Sequence, residues 1–258
     1  MAFKFTRLSI YPSLLDSKYH VEWDGQGMGN FSFTVELSPT DSGPWVKAAD
    51  VFGDNEITIT KPDRILSNID ALWFRVIAKE NGVQVAVSSP DNAAGEPTRP
   101  DYLRYREMLR RWNLELKKFN GATGTLLRLK TFGEPASNVH PILGQPIGTE
   151  DKDGLGQKFK GGYWPPIDMF VAYEYVPPGG TSKIPVEEQG LVEQADSAFL
   201  AMPYPTIKPQ DIWISKDANA RYKVAQVDQI EFRGLKVKQS VKITRLPVTD
   251  PAFKIPLR

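Results

Sequence analysis

The sequence contains no cysteine and two histidines, His20 and His140. The missing thiol excludes a disulfide framework, a Cys-ligated zinc site, an iron–sulfur cluster and a thiol nucleophile. Two histidines leave little from which to build a Ser-His-Asp triad or a multi-histidine metal centre. No sign of charge dominates: 32 Lys and Arg stand against 31 Asp and Glu, so the whole chain exerts no general attraction on nucleic acid. No apolar run approaches the ~18 residues of a spanning helix, and no membrane partner is expected. The start, Met-Ala-Phe-Lys-Phe-Thr-Arg, alternates polar and apolar residues without the apolar centre of a signal peptide, which places synthesis and assembly in the cytosol.

Catalytic motifs are missing too. There is no phosphate-cradling glycine loop ending in Lys-Ser/Thr and no Gly-x-Ser-x-Gly elbow. The carboxylate pairs Glu187-Glu188 and Asp151/Asp153 sit among glycines and lysines, where nothing raises a pKa for acid–base work. Asp151-Lys-Asp153-Gly154 begins like a calcium loop but has Leu155 at the fifth position and Gly162 at the twelfth. No cofactor, no metal and no enzymatic activity are expected.

What is present is a chain of 258 residues, 41% apolar and 24% charged, long enough for one or two cores without covalent staples. Residues 1–90 alternate with period two in short runs broken by turn residues, the pattern of strands. The runs are Thr6–Tyr11, Lys18–Asp24, Phe31–Leu37, Val46–Val51, Glu56–Thr60, Ala71–Ala78 and Val83–Val87. Gly25–Asn30 is too glycine-rich for an element interior, and Glu80-Asn81-Gly82 carries a tight-hairpin signal. Seven strands fit one sandwich. Val21-Glu22-Trp23-Asp24, Phe33–Leu37, and Trp73–Val76 followed by Ser88-Ser89-Pro90 resemble the strands of a fibronectin type III domain, with Trp23 and Phe74 as core residues.

Asp91–Pro100 reads as a linker, rich in small residues, proline and glycine. Beyond it Tyr102, Tyr105, Leu109, Trp112, Leu116 and Phe119 recur at three- and four-residue steps, which predicts an amphipathic helix over 101–119 ending at Asn120-Gly121. Its other faces are locally basic. The strand pattern then returns at Thr125–Phe132, Ile167–Val176, Leu191–Met202, Asp211–Ile214, Tyr222–Phe232 and Leu235–Leu246, with a long excursion over 133–162. The expected fold is mainly β: a sandwich over 1–90, a linker and helix over 91–120, and a small β-barrel over 121–258.

The last hairpin is the plainest. Leu235, Val237, Val241 and Ile243 point one way, and Lys236, Lys238 and Lys242 the other, giving a core face and a lysine row. Three stiff, aromatic, proline-bearing stretches suit interface anchoring: Tyr163-Trp164-Pro165-Pro166, Met202-Pro203-Tyr204-Pro205 and Pro251–Leu257. Their rings, Tyr163, Trp164, Tyr204 and Phe253, are the candidate anchors.

Segment 121–258 resembles the neck proteins of tailed bacteriophages, the head-to-tail connector and head-closure components. The resemblance rests on Gly161–Pro166 opening a strand, Asp211-Ile-Trp-Ile before Arg221–Val227, and Phe232–Gln239 leading into Ile243–Asp250. It implies a virion protein assembled in the host cytoplasm as a ring of identical copies. Portal and tail proteins would be its partners, with double-stranded DNA held non-specifically in the lumen. Lys236, Lys238 and Lys242 are then the candidate DNA-facing residues, since a small charge repeated around a ring sums to a cationic collar. Relatives in that family carry cysteine pairs, suggestive of a metal knuckle, in the loop before the glycines. Glu134–His140 has none, which implies a loop held by partners. A rival reading is a tail or baseplate module that binds cell-surface carbohydrate, with Trp45 and Trp164 as its ring platforms.

Overall fold

A computed structural model of the chain describes residues 3–12, 18–60, 72–92, 99–137, 139–140, 147, 153–174, 182–183, 194–195, 197–216 and 220–255. The chain is mainly β and forms two compact units. The first comprises Met1–Tyr102 with Lys130–Trp164, and the second Leu103–Leu129 with Pro165–Arg258. The excursion 133–162, read from sequence as a loop of the barrel region, therefore groups with the sandwich.

In the first unit, β1 (Lys4–Pro12), β2 (Lys18–Gln26) and β5 (Glu56–Thr60) form one antiparallel sheet in the order β1-β2-β5. The second sheet has the order β4-β3-β6-β7, from β3 (Phe31–Ser38), β4 (Val46–Phe52), β6 (Trp73–Glu80) and β7 (Val83–Val87), with the short β8 (Asp91–Asn92) also on β6. This three-plus-four arrangement is the sandwich expected of a fibronectin type III-like domain. Alternation builds it. Tyr19, Val21 and Trp23 of β2, Phe33, Val35 and Leu37 of β3, and Phe74, Val76 and Ala78 of β6 are all buried in one core. Asn81 and Gly82 both take positive φ, 52° and 81°, the two-residue turn that Asn-Gly favours between twisted strands.

The described parts of the excursion close onto this core. Phe132 and Trp164 are 1% and 6% exposed and belong to the same cluster as Phe3 and Phe33. Phe3 stands edge-on to Phe132, with ring centroids 5.1 Å apart. Backbone bonds complete the attachment. Gly29 N–H donates to the Gly133 carbonyl at 3.0 Å, and the two arms of the excursion bond each other through Ala136 N–H to Lys158 O and Lys160 N–H to Glu134 O. The chain's own core thus supplies a hold on these residues that the sequence reading, which assigned the loop to partner proteins, did not include. Burying two large aromatic rings within the chain's own core, worth several kcal/mol by area, ties the described arms to the sandwich from within the chain.

The second unit begins with most of α1 (Arg99–Glu115), continued by a π-helical turn over Leu116–Asn120. Tyr105, Leu109 and Leu116 are buried as the stripe predicts, but Phe119 is 77% exposed. The i→i+5 turn inserts one residue per turn and carries Phe119 off the stripe. Six antiparallel strands then close a barrel in the order β10-β13-β16-β15-β14-β9. They are β9 (Ala122–Leu127), β10 (Ile167–Glu174), β13 (Ser197–Ala201), β14 (Ile212–Ser215), β15 (Arg221–Phe232) and β16 (Leu235–Arg245). A separate pair, β11 (Ser182–Lys183) and β12 (Gln194–Ala195), forms a two-stranded ladder. β9 is thus earlier and shorter than the predicted Thr125–Phe132, because Phe132 lies in the other unit's core.

The barrel interior is filled by Leu126, Val171, Phe199, Trp213, Val241 and Ile243 among others. Trp213 sets its packing: the indole N–H donates to the Tyr173 hydroxyl at 2.9 Å, and a Cβ on Gly124 would lie 2.2 Å from its ring. The strand opposite must therefore carry glycine. A closed sheet also removes the edge strands that would otherwise pair with other chains.

Candidate functional site

β15 and β16 pair along their whole length, while β13 covers β16 only from Gln239 to Ile243 and β14 covers β15 only from Arg221 to Lys223. Among the described strands, the distal part of this hairpin, closed by Arg233 and Gly234 at φ 50° and 79°, pairs with no third strand. On β16 buried and half-buried residues alternate without a break from Leu235 to Thr244. Lys236, Lys238 and Lys242 share the outward face, as the period-two reading requires.

Each of these lysines is engaged. The Lys238 ammonium sits over the Trp112 ring of the helix, 4.8 Å from its centroid. Lys242 donates to Gln226 Oε1 at 3.2 Å, and Lys236 pairs in register with Glu231. The row is cationic and half-buried, and Lys238 ties it to a helix that, with the turn after it, carries Arg104, Arg106, Lys117 and Lys118. Lys117 lies over Phe170, 5.9 Å from its centroid, so the turn after α1 is tied to β10.

The four candidate anchors have different fates. Trp164 is a core residue of the first unit, tilted against Phe132 with centroids 4.9 Å apart, and the Lys130 ammonium lies 5.2 Å from its ring centroid. Its assignment as an exposed anchor is corrected: two glycines at positive φ, Gly161 and Gly162, turn the backbone so that the indole points inward. Tyr163, next to it, is half-buried. Tyr204 is half-buried in a turn that Gln239 holds from within the unit. Phe253 is half-buried in a 3-10 turn (Pro251–Lys254), and the Arg221 guanidinium lies 5.1 Å from its ring centroid. Arg221 also donates to the carbonyls of Ala252 and Ile255, so the Phe253 segment is fastened to the start of β15. The two rings considered for sugar binding fare no better. Trp164 is buried, and the Arg75 guanidinium stands 4.5 Å over Trp45.

Two buried polar residues escaped the sequence reading. Gln239 is completely buried: its amide donates to the carbonyls of Met202 (2.7 Å) and Pro205 (2.9 Å), and its Oε1 accepts from Ile207 N–H (2.9 Å) and Gln229 (3.0 Å). The signal was its odd position among the apolar residues of β16. Asp211 is 2% exposed and accepts backbone N–H groups of Leu129 and Lys208, both at 2.8 Å. Burial pushes its carboxyl up to about 7, against the lowering effect of those two bonds and of Lys208 and Arg128. His20 shows the opposite: burial, aided by Lys18, lowers its imidazole to about 4, with Nδ1 2.9 Å from the Thr58 hydroxyl. Among the described residues, no three histidine, aspartate or glutamate side chains gather as a metal-binding group.

Comparison of the sequence with protein-family models and with curated proteins gives no match.

Proposed function

We propose that this chain is a structural component of a tailed-bacteriophage neck, forming a homo-oligomeric ring that joins the portal to the tail and helps retain packaged DNA. The observation that carries the reading is where the resembling motifs fall. Gly161–Pro166 leads into β10, Asp211-Ile-Trp-Ile contributes the β14 residue that fills the barrel, and Phe232–Gln239 forms the β15–β16 turn with its Arg-Gly corner. The second and third motifs are strands of a small closed barrel, and the first ends where the chain enters its β10, an architecture that a ring component can repeat around an axis.

The lysine row supplies the second support. Three half-buried lysines per copy, multiplied by a ring, become a sequence-independent cationic surface of the kind that binds a duplex by counterion release. Native mass spectrometry of the chain alone and with purified portal tests this. A closed oligomer, alone or on the portal, is the expected result. A monomer that ignores the portal and tail proteins argues against the reading.

A further inference from the structure

The first unit holds a cleft of about 280 Å³ floored by Phe31, Phe33, Phe132 and Trp164, with Lys130 and Asp54 on its wall. All four rings are at most 6% exposed, so the floor is fixed by the core beneath it. The Lys130 ammonium donates one N–H to the Lys160 carbonyl at 2.8 Å and rests over the Trp164 ring. Burial lowers its pKa from the ordinary lysine value, and the nearby Asp54 only partly opposes that shift. At the rim, Lys160 and Glu134 pair at 3.6 Å, so their charges cancel. The wall therefore presents a partly buried ammonium, with Asp54 near it, beside an aromatic floor. At Gly53 and Gly133, which line the cleft, an added Cβ would meet nothing within 4 Å among the described residues.

We propose that this cleft binds a carboxylate carried on an aromatic or branched apolar body, the ring or alkyl group on the four-ring floor and the carboxylate on Lys130. A volume of this size holds one such group, at the small end of ligand pockets. A carboxylate forms a charge-assisted bond with the ammonium. A neutral amide gains a weaker bond from the same ammonium. The same chemistry is offered by a free organic acid and by the terminal residue of a polypeptide.

The test titrates the full chain with N-acetyl-phenylalanine and with its primary amide, following the Trp164 indole N–H by nuclear magnetic resonance. The expected result is a shift of that signal and an acid that binds roughly tenfold tighter than the amide. Lys130→Met removes the difference between the two probes. Equal binding of acid and amide, an unmoved Trp164 signal, or an unchanged preference in Lys130→Met overturns the proposal. Should that variant fail to fold, titration of Lys130 in the native chain decides: saturating acid raises its pKa if the proposal holds, and leaves it unmoved if it does not. A peptide ending in Gly-Gly-Phe with a free carboxylate, run beside the acid, separates the two sources. Tighter binding of the peptide supports a chain terminus, equal binding supports a small acid, and binding of neither counts against the cleft.

Discussion

Phe132 and Trp164 meet with ring centroids 4.9 Å apart, and both sit in the core that Trp23 and Phe33 build from the sandwich strands. They enter the first unit from a segment whose two flanks in the chain, up to Leu129 and from Pro165, belong to the second. The sandwich is thus completed by residues that follow its last strand by a helix and a barrel strand.

Trp164→Ala should therefore behave as a core truncation. The expected loss is about 3–5 kcal/mol of stability in the first unit, read by urea denaturation. A loss under ~0.5 kcal/mol, the size of an ordinary surface change, would place the ring outside the core.

Asp211 makes stability depend on pH in an unusual sense. Its folded pKa of about 7 lies above the unfolded carboxylate value, so between pH 4 and 7 the unfolded chain releases the proton first. Stability from this group is present below pH 4, falls as pH rises, and levels off above 7; full expression amounts to ~4 kcal/mol. His20, with a folded value of about 4, gives the opposite slope: stability is lost as pH falls from 6.5 towards 4. Denaturation across pH 4–8 should show Asp211→Asn removing the falling trend and His20→Gln removing the rising one. Slopes unchanged in either variant would contradict the assignment for that residue.

Gln239→Leu keeps the volume but strands the Met202 and Pro205 carbonyls and the Ile207 N–H inside the unit. Each buried unsatisfied group costs about 1–3 kcal/mol, so the variant should melt well below the parent. Proteolysis should begin in the 202–207 turn. An unchanged melting temperature would mean that water reaches these groups.

Replacing Lys236, Lys238 and Lys242 by Ser should leave the barrel folded, because all three side chains lie on its outward face. The loss of the Lys238 contact with Trp112 costs roughly 0.5–1 kcal/mol. Particles carrying the triple variant should leak DNA, more so at higher salt. Normal genome retention would remove the lysine row from the account.

The strands were legible because alternation is local: the run from Leu235 to Ile243 shows its two faces without any knowledge of neighbours, and Trp23, Phe33 and Phe74 fall on core positions by parity alone. Asn81-Gly82 was legible for a similar reason, since the turn requires positive φ at both residues. Trp164 was not. It sits between glycines and prolines, a context shared by exposed loops and by chain that turns back into a core, and Phe3 and Phe33 of the core it joins lie far away in sequence. Phe119 matched the helical period but met a π turn, which no spacing rule announces. Gln239 occupied an inward position and was passed over because it is polar, although parity pointed to it. The partners of Asp211 are backbone N–H groups, which any sequence supplies, so its burial left no mark in residue types.

Electron microscopy of portal-bearing, DNA-filled particles incubated with the purified chain tests the proposed neck role most directly. The account predicts a symmetric collar at the portal vertex, with the β15–β16 hairpin lysines lining the channel. Particles that bind no copies at that vertex, or copies bound singly elsewhere on the capsid, would contradict it.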